Sequence, residues 1–227
     1  MCILISILSL VVFILIFRER RDNKLLETVT KRNRGTRTER DLVINFLKYG
    51  IPAQTIFHDL YVKQRNGNYS QIDLVVATRV GIIVLEVKDF SGWIFGAGHD
   101  FQWTQVLAYG KRKYRFYNPI MQNNKHVSDL KKQLRQFETV PFYSIVVFCG
   151  DCELRDINFV PNGTFLVKSN RVLEVMETLI KDNEAAGYTN KHEIVRVLKE
   201  AVKNGEDKET QIQHIKNVQE MLGKHRI

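Results

Sequence analysis

The chain has 227 residues, 44% of them hydrophobic and 10% aromatic, which is enough to bury the core of one domain with appendages or of two small ones, and too apolar for a disordered tail. Thirty-four Lys and Arg against 25 Asp and Glu leave a formal charge of +9, so a polyanion is the first partner to consider, nucleic acid ahead of an anionic membrane surface. Three cysteines, Cys2, Cys149 and Cys152, exclude a disulfide framework, and a four-ligand zinc site would need histidine help.

Residues 1–17, MCILISILSLVVFILIF, carry no charge and then meet RERR. As a helix they reach roughly 25 Å, close to the ~30 Å hydrocarbon core of a bilayer. A cleaved signal peptide fits less well, because no basic segment precedes the apolar run and no small-residue cleavage site follows it. Arg18, Arg20, Arg21 and Lys24 on the C-terminal flank place that side in the cytoplasm. The expectation is a single-pass anchor in the inner membrane with the bulk of the chain in the cytoplasm, where free thiols are at home. Residues 18–34 then read as a basic juxtamembrane linker.

The next segment, TRTERDLVINFLKYG, predicts a helix capped by Thr36 or Thr38 and stopped by Gly50 and Pro52. Leu42, Val43, Phe46 and Leu47 form its apolar stripe, and counting back by four and seven puts Glu39 on the edge of that stripe, facing inward. Residues 55–62 alternate like a strand, and RNGN at 65–68 marks a turn.

Residues 71–90, QIDLVVATRVGIIVLEVKDF, read as two strands joined by a tight turn near Thr78 to Gly81. With the turn centred between Arg79 and Val80, paired residue numbers sum to 159, so Asp73 and Glu86 become cross-strand neighbours with Cβ atoms about 5 Å apart. Alternation puts Asp73 on a face with Val75 and Ala77, and Lys88 on that of Glu86. Two carboxylates so close repel unless something cationic sits with them, and Mg²⁺ suits an all-oxygen set that leaves positions for water and phosphate. A solvated outer face with a Glu86–Lys88 salt bridge is the plainer alternative, but both strands are apolar on both faces, as expected for strands covered on both sides.

Farther on, FQWTQV and RKYRFY predict a hairpin around Tyr109-Gly110. Its second strand interleaves Lys111, Arg112, Lys113 and Arg115 with Tyr114, Phe116 and Tyr117, a pattern suited to a phosphate backbone with aromatics stacking or packing beneath; an ordinary half-buried strand has the same look. A helix follows from about Pro119 to Phe137, carrying Gln122 and, one turn on, His126, which as a lone histidine is more often a packing residue. Residues 142–148 and 164–168 are strand-like, Cys149 and Cys152 read as an incidental pair, and three helical patterns run from Asn170 to the C-terminus. The apolar stripes of the last two, Ile194, Val197, Leu198 and Val202, then Ile212, Ile215, Val218 and Leu222, are expected to be core, with self-association or a partner helix also open to this region.

Asp73, then Glu86-Val87-Lys88 on the next strand, with Glu39 on a preceding helix, resembles the core of the PD-(D/E)XK nucleases. More narrowly, RGTRTERDLV, QIDLVVATRVGIIVLEVKDFSGWI and NPIMQ together resemble the NERD, or nuclease-related, domain over about Gly35 to Gly150. The resemblance implies an α/β fold, a mixed central sheet flanked by helices, occupying 35–150, with the anchor before it and a strand plus helical extension at 151–227. It also implies a metal-dependent phosphodiesterase acting on nucleic acid, DNA being the expected substrate. In that reading Asp73, Glu86 and the Val87 carbonyl hold Mg²⁺ or Mn²⁺, Lys88 orients the attacking water, Glu39 supports the metal shell, and Gln122 reaches Lys88 or substrate. Ile72 stands where the superfamily's name has proline. A catalytically silent nucleic-acid-binding or scaffold module at the membrane is the alternative.

Overall fold

A computed structural model describes residues 2–134 and 140–224, without the side chains of residues 2–6, 8 and 221–224. The first helix, α1 (Cys2–Leu26), runs unbroken through the expected anchor and half of the expected linker. Its apolar residues from Leu10 to Phe17 are all exposed, whereas Leu26 is buried in the core and Asp22 is salt-bridged to Lys48 at 2.6 Å. Residues 18–34 are therefore solvated only in part: Thr30 and Arg34 are buried too. Among the described residues no helix is long and apolar enough to cross a membrane; the anchor expected at 1–17 falls partly on the side chains of 1–6 and 8, outside those described.

Helix α2 (Arg37–Tyr49) begins and ends where its caps dictate. The Thr36 hydroxyl accepts from the Glu39 amide, and Gly50 closes the helix in the left-handed region at φ 102°, a conformation that costs glycine nothing. Strands β1 (Ile56–Lys63), β2 (Tyr69–Thr78) and β3 (Gly81–Asp89) follow, then β4 (Gly92–Ala97), β5 (Gln102–Leu107), β6 (Arg112–Tyr117) and α3 (Pro119–Gln133). The chain continues with β7 (Phe142–Cys149), β8 (Cys152–Asn158), β9 (Thr164–Lys168), α4 (Val172–Asp182), α5 (Lys191–Asn204) and α6 (Lys208–Lys224). The end of the α3 helix predicted from sequence, with Arg135 and Phe137, lies outside the described residues.

Two mixed sheets result, ordered β1-β2-β3-β7-β9 and β6-β5-β4-β8. In the first, β3 is buried from Gly81 to Glu86, as its double-sided apolar pattern requires. One face carries Leu74, Val76, Ile83 and Leu85 against Phe46 of α2 and Met176 of α4. The other carries Val75, Ile82 and Val84 against Leu130 of α3 and Leu198 of α5. The parallel pair β3 and β7 passes into the parallel pair β4 and β8 through a shared bend. Gly92 and Gly150 sit in that bend at φ 73° and 69°, where a side chain would be strained, and the Gly92 amide donates to the Asp151 carbonyl at 3.0 Å.

That bend falls at the expected boundary at residues 150 and 151, yet the chain beyond it does not form a separate unit. Strands β8 and β9 complete the second and first sheets, and α5 packs on β1 through Leu198, which is fully buried, so the C-terminal part is built into the fold. The stripe of α6 is a correction: Ile212 and Ile215 are 54% and 53% exposed, so at these two positions it covers no core. If α5 is integral, Leu198→Ala lowers the stability of the whole domain by about 2–5 kcal/mol, read as a fall in the urea midpoint; an unchanged midpoint would mark a detachable extension.

Candidate active site

The register of the β2–β3 hairpin is the one the turn implies. Leu74 pairs with Leu85 and Thr78 with Gly81, each summing to 159, with the turn at Arg79 and Val80. The ladder ends at Leu74, one residue short of Asp73. Instead of pairing through its backbone, Asp73 uses its side chain: Oδ2 accepts the Val87 amide at 2.8 Å. Strict alternation also breaks there, because Ile72 joins the cluster of Val75 and not that of Leu74 and Val76. On β1, Asp59 adopts φ 55° at the matching place, between the pairs His58–Leu74 and Leu60–Ile72. Buried Arg34 holds that kink, donating to both the carboxylate and the carbonyl of Asp59. Strands β1, β2 and β3 thus part around Asp73, which a simple period-two reading placed on the face of Val75 and Ala77.

Glu86 and Lys88 project from β3 toward α3. Lys88 Nζ lies 2.7 Å from Glu86 Oε1 and donates to Gln122 Oε1 at 3.0 Å. His126, one turn beyond Gln122, brings Nε2 to 3.2 Å from Glu86 Oε2, and its Nδ1 is 3.0 Å from Ser70 Oγ. The first contact has the distance of an ion pair without hydrogen-bond alignment, so Glu86 Oε2 and His126 Nε2 are both buried without a hydrogen-bond partner. Glu39 stands on the other side of the sheet with α2. It is buried, takes a hydrogen bond from the Thr36 hydroxyl at 2.7 Å, and faces His58 Nε2 at 3.2 Å, with His58 Nδ1 3.0 Å from Thr30 Oγ1. Gly35, at φ 57°, leaves room for this pair, because a Cβ there would strike both Glu39 and His58.

The electrostatics divide the three carboxylates. Burial and the neighbouring Glu86 and Glu39 push Asp73 well above the usual carboxylate range, with the Val87 amide and Lys88 opposing. Burial also works against the ionised forms of Glu86 and Glu39. For Glu86, His126 and Lys88 outweigh it; for Glu39, His58 and Thr36 do; both carboxyls are held below their ordinary range. The site therefore lacks positive charge at Asp73, and Glu86 Oε2 is left without a hydrogen-bond donor.

A small divalent cation fits that deficit, since Mg²⁺ keeps several waters and needs only one or two carboxylates. Among the described residues no three His, Cys, Asp or Glu are gathered in a way that could hold a metal ion; Asp73 and Glu86 are the two carboxylates that could hold one between them. The structure brings together Asp73, Glu86, Val87, Lys88 and Gln122 of the residues picked out from sequence. Glu39 faces inward as its helical spacing requires, but it is held by His58. His58 and His126 are the two members that sequence reasoning missed. The spacing of His126 from Gln122 was the available signal for one, and a histidine buried in an apolar strand was the signal for the other.

The basic stretch is placed apart from this centre. Arg112, Lys113 and Arg115 are exposed on β6, the edge strand of the second sheet, with Lys111 exposed just before it. Cys149 and Cys152 are free.

A mixed α/β core that carries Asp73, Glu86 and Lys88 on adjoining strands, backed by helices, has the make-up of a nuclease-like domain. Residues 34–149, just over half of the sequence, match the nuclease-related domain, NERD, and the chain belongs to that family. It is also 32% identical over 103 residues to an uncharacterised protein of Bacillus anthracis, a match covering 45% of this chain and 47% of that protein. The chain thus spans about half the length of the curated relative it matches. No solved structure matches it.

Because Asp73 is raised in the fold, its stabilising share is present below the unfolded carboxylate pKa and is lost as pH climbs through the folded one. Asp73→Asn should therefore melt above wild type at neutral pH in EDTA by a few degrees, the scale of ~1 kcal/mol in a chain of this size. The gap should close as pH falls toward 4, a value near the unperturbed aspartate pKa. A gap that stays constant across this range, followed by thermal melts, would contradict the assignment.

Proposed function

We propose that the chain is a metal-dependent phosphodiesterase that cleaves nucleic acid, DNA first, without strong sequence preference. The observation that carries this reading is the half-compensated carboxylate pair beside an ammonium: Asp73 raised by burial and by Glu86, and Lys88 held 2.7 Å from Glu86 and 3.0 Å from Gln122. Asp73 and Glu86 would hold Mg²⁺ or Mn²⁺, with the Val87 carbonyl as a third donor. Such a cation supplies Lewis acidity toward water and screening of phosphate charge.

The chain's own groups do the rest. Lys88 keeps a fixed positive charge at the mouth of the pair, able to orient a water and to stabilise charge developing on a phosphoryl oxygen. Gln122 is a positioning residue, since its amide oxygen fixes the Lys88 ammonium. Against burial, His126 and Lys88 together hold the Glu86 carboxyl below its ordinary range. Glu39 and His58 stiffen the opposite side of the split in the sheet. Lys111, Arg112, Lys113 and Arg115 supply phosphate contacts that carry no base information, in keeping with the absence of any base-reading motif in the sequence.

The membrane placement belongs to the same proposal. It is supported by the uncharged stretch 1–17, the arginines after it, and apolar side chains exposed from Leu10 to Phe17. A helix apolar all round is at home in lipid, and the basic flank would put the nuclease domain on the cytoplasmic face of the inner membrane.

A second reading, a nucleic-acid-binding module without catalysis, is favoured by the lack of a gathered three-ligand metal group among the described residues. One assay separates the two. The full chain in mild detergent should cut plasmid or linear DNA only with Mg²⁺ or Mn²⁺, and Asp73→Ala and Lys88→Ala should each lower the rate by about 10²-fold or more. Equal rates in the variants, or DNA binding with no cleavage, would sink the enzyme reading. Where cleavage is seen, His126→Ala should shift the acid limb of its pH profile upward, because Glu86 then loses a group that holds its pKa down.

A further inference from the structure

The second sheet has two unlike faces. Its inner face is core: Ile94 and Trp103 are fully buried against Ile120 and Phe148. On its outer face, β4, β5 and β6 contribute two cross-strand rows, Trp93–Val106–Lys113 and Phe95–Thr104–Arg115. These six residues and Gly110 line an open groove of about 540 Å³. Tyr109 stands at its end, 93% exposed and edge-on to Trp93 at 6.4 Å, and the Arg155 guanidinium lies 4.8 Å from the Trp93 ring centroid. Lys113 and Arg115 form no ion pair among the described residues. Aromatic rings on the floor and unpaired cations along the rim define the chemistry of the occupant.

We propose that this groove is a stacking platform for single-stranded nucleic acid, with a base against Trp93 or Phe95 and the backbone phosphates along Lys113 and Arg115. The charge calls for a polyanion, and the rings call for one with exposed π-faces. A duplex hides its base faces in the stack, whereas a splayed strand offers every one of them. Chain connectivity links the platform to the catalytic centre. The sheet is entered at Gly92, four residues after Lys88, and its strand β6 ends at Tyr117, five residues before Gln122, and Lys88 and Gln122 are hydrogen-bonded to each other. The proposal rests on the nucleic-acid part of the reading above and adds strand type and a binding surface outside the carboxylate centre.

The test is fluorescence anisotropy of a labelled oligothymidylate with the full chain in mild detergent, in EDTA so that binding is read without cleavage. Binding should be tighter than to a duplex of equal length and should quench Trp93, the partly exposed one of the chain's two tryptophans. Trp93→Ala should weaken it at least about fivefold, the scale of one lost base–ring contact, with the salt dependence kept. Lys113→Ala with Arg115→Ala should flatten the salt dependence. Should Trp93→Ala prove unfolded by circular dichroism, Trp93→Phe decides instead, with weaker binding expected. Equal affinity for duplex, equal competition by polyglutamate, or binding unchanged in the Trp93 variant would overturn the platform. Cleavage that survives alongside such a result would leave the nuclease reading intact, and Trp93-dependent binding without any cleavage would do the reverse.

Discussion

Everything in the centre follows from placing carboxylates closer together, and deeper, than they would choose. Asp73 sits at a split in the sheet with Glu86 toward one side and Glu39 toward the other, and each neighbour makes its ionisation harder. The fold meets this with three cationic or protonatable partners, Lys88 and His126 at Glu86 and His58 at Glu39. It leaves Asp73 with only a backbone amide and the distant pull of Lys88. An acid so placed weakens the fold, and under the proposed function it would make binding of a cation favourable, a frequent trade of stability for function.

The geometry that creates the split is carried by residues of little chemical interest. Arg34 grips Asp59 through side chain and backbone, Asp59 takes a left-handed backbone, and β1 and β2 change facing together opposite it. Thr38 at the start of α2 bonds Asp89 at 2.6 Å, at the far end of β3. The helix that delivers Glu39 and the strand that delivers Glu86 and Lys88 are therefore tied at their ends as well as through the core.

Much of this was legible in the sequence, because turns and helices obey local rules. The hairpin register came from one short turn, and the inward aim of Glu39 came from helical spacing alone. What stayed hidden depends on long-range packing. The broken alternation at Asp73 is imposed by Asp59 on another strand. The roles of His58 and His126 are set by elements 19 and 40 residues from their partners Glu39 and Glu86. Strand β8 has no strong pattern of its own, being exposed at most alternate positions, and it is defined by β4 beside it. The uncovered Ile212 and Ile215 of α6 show the reverse error, since a helical stripe reveals a face but not what meets it.

Helix α1 passes from the exposed apolar stretch into the buried Leu26 without a break, and Asp22 pins its lower part to Lys48. Under the proposed anchoring this would be a stiff strut, leaving the nuclease-related domain no tether on which to swing. It would sweep a ring at one fixed height above the lipid as the helix turns about the membrane normal, so the strands within its reach would be those lying almost against the bilayer.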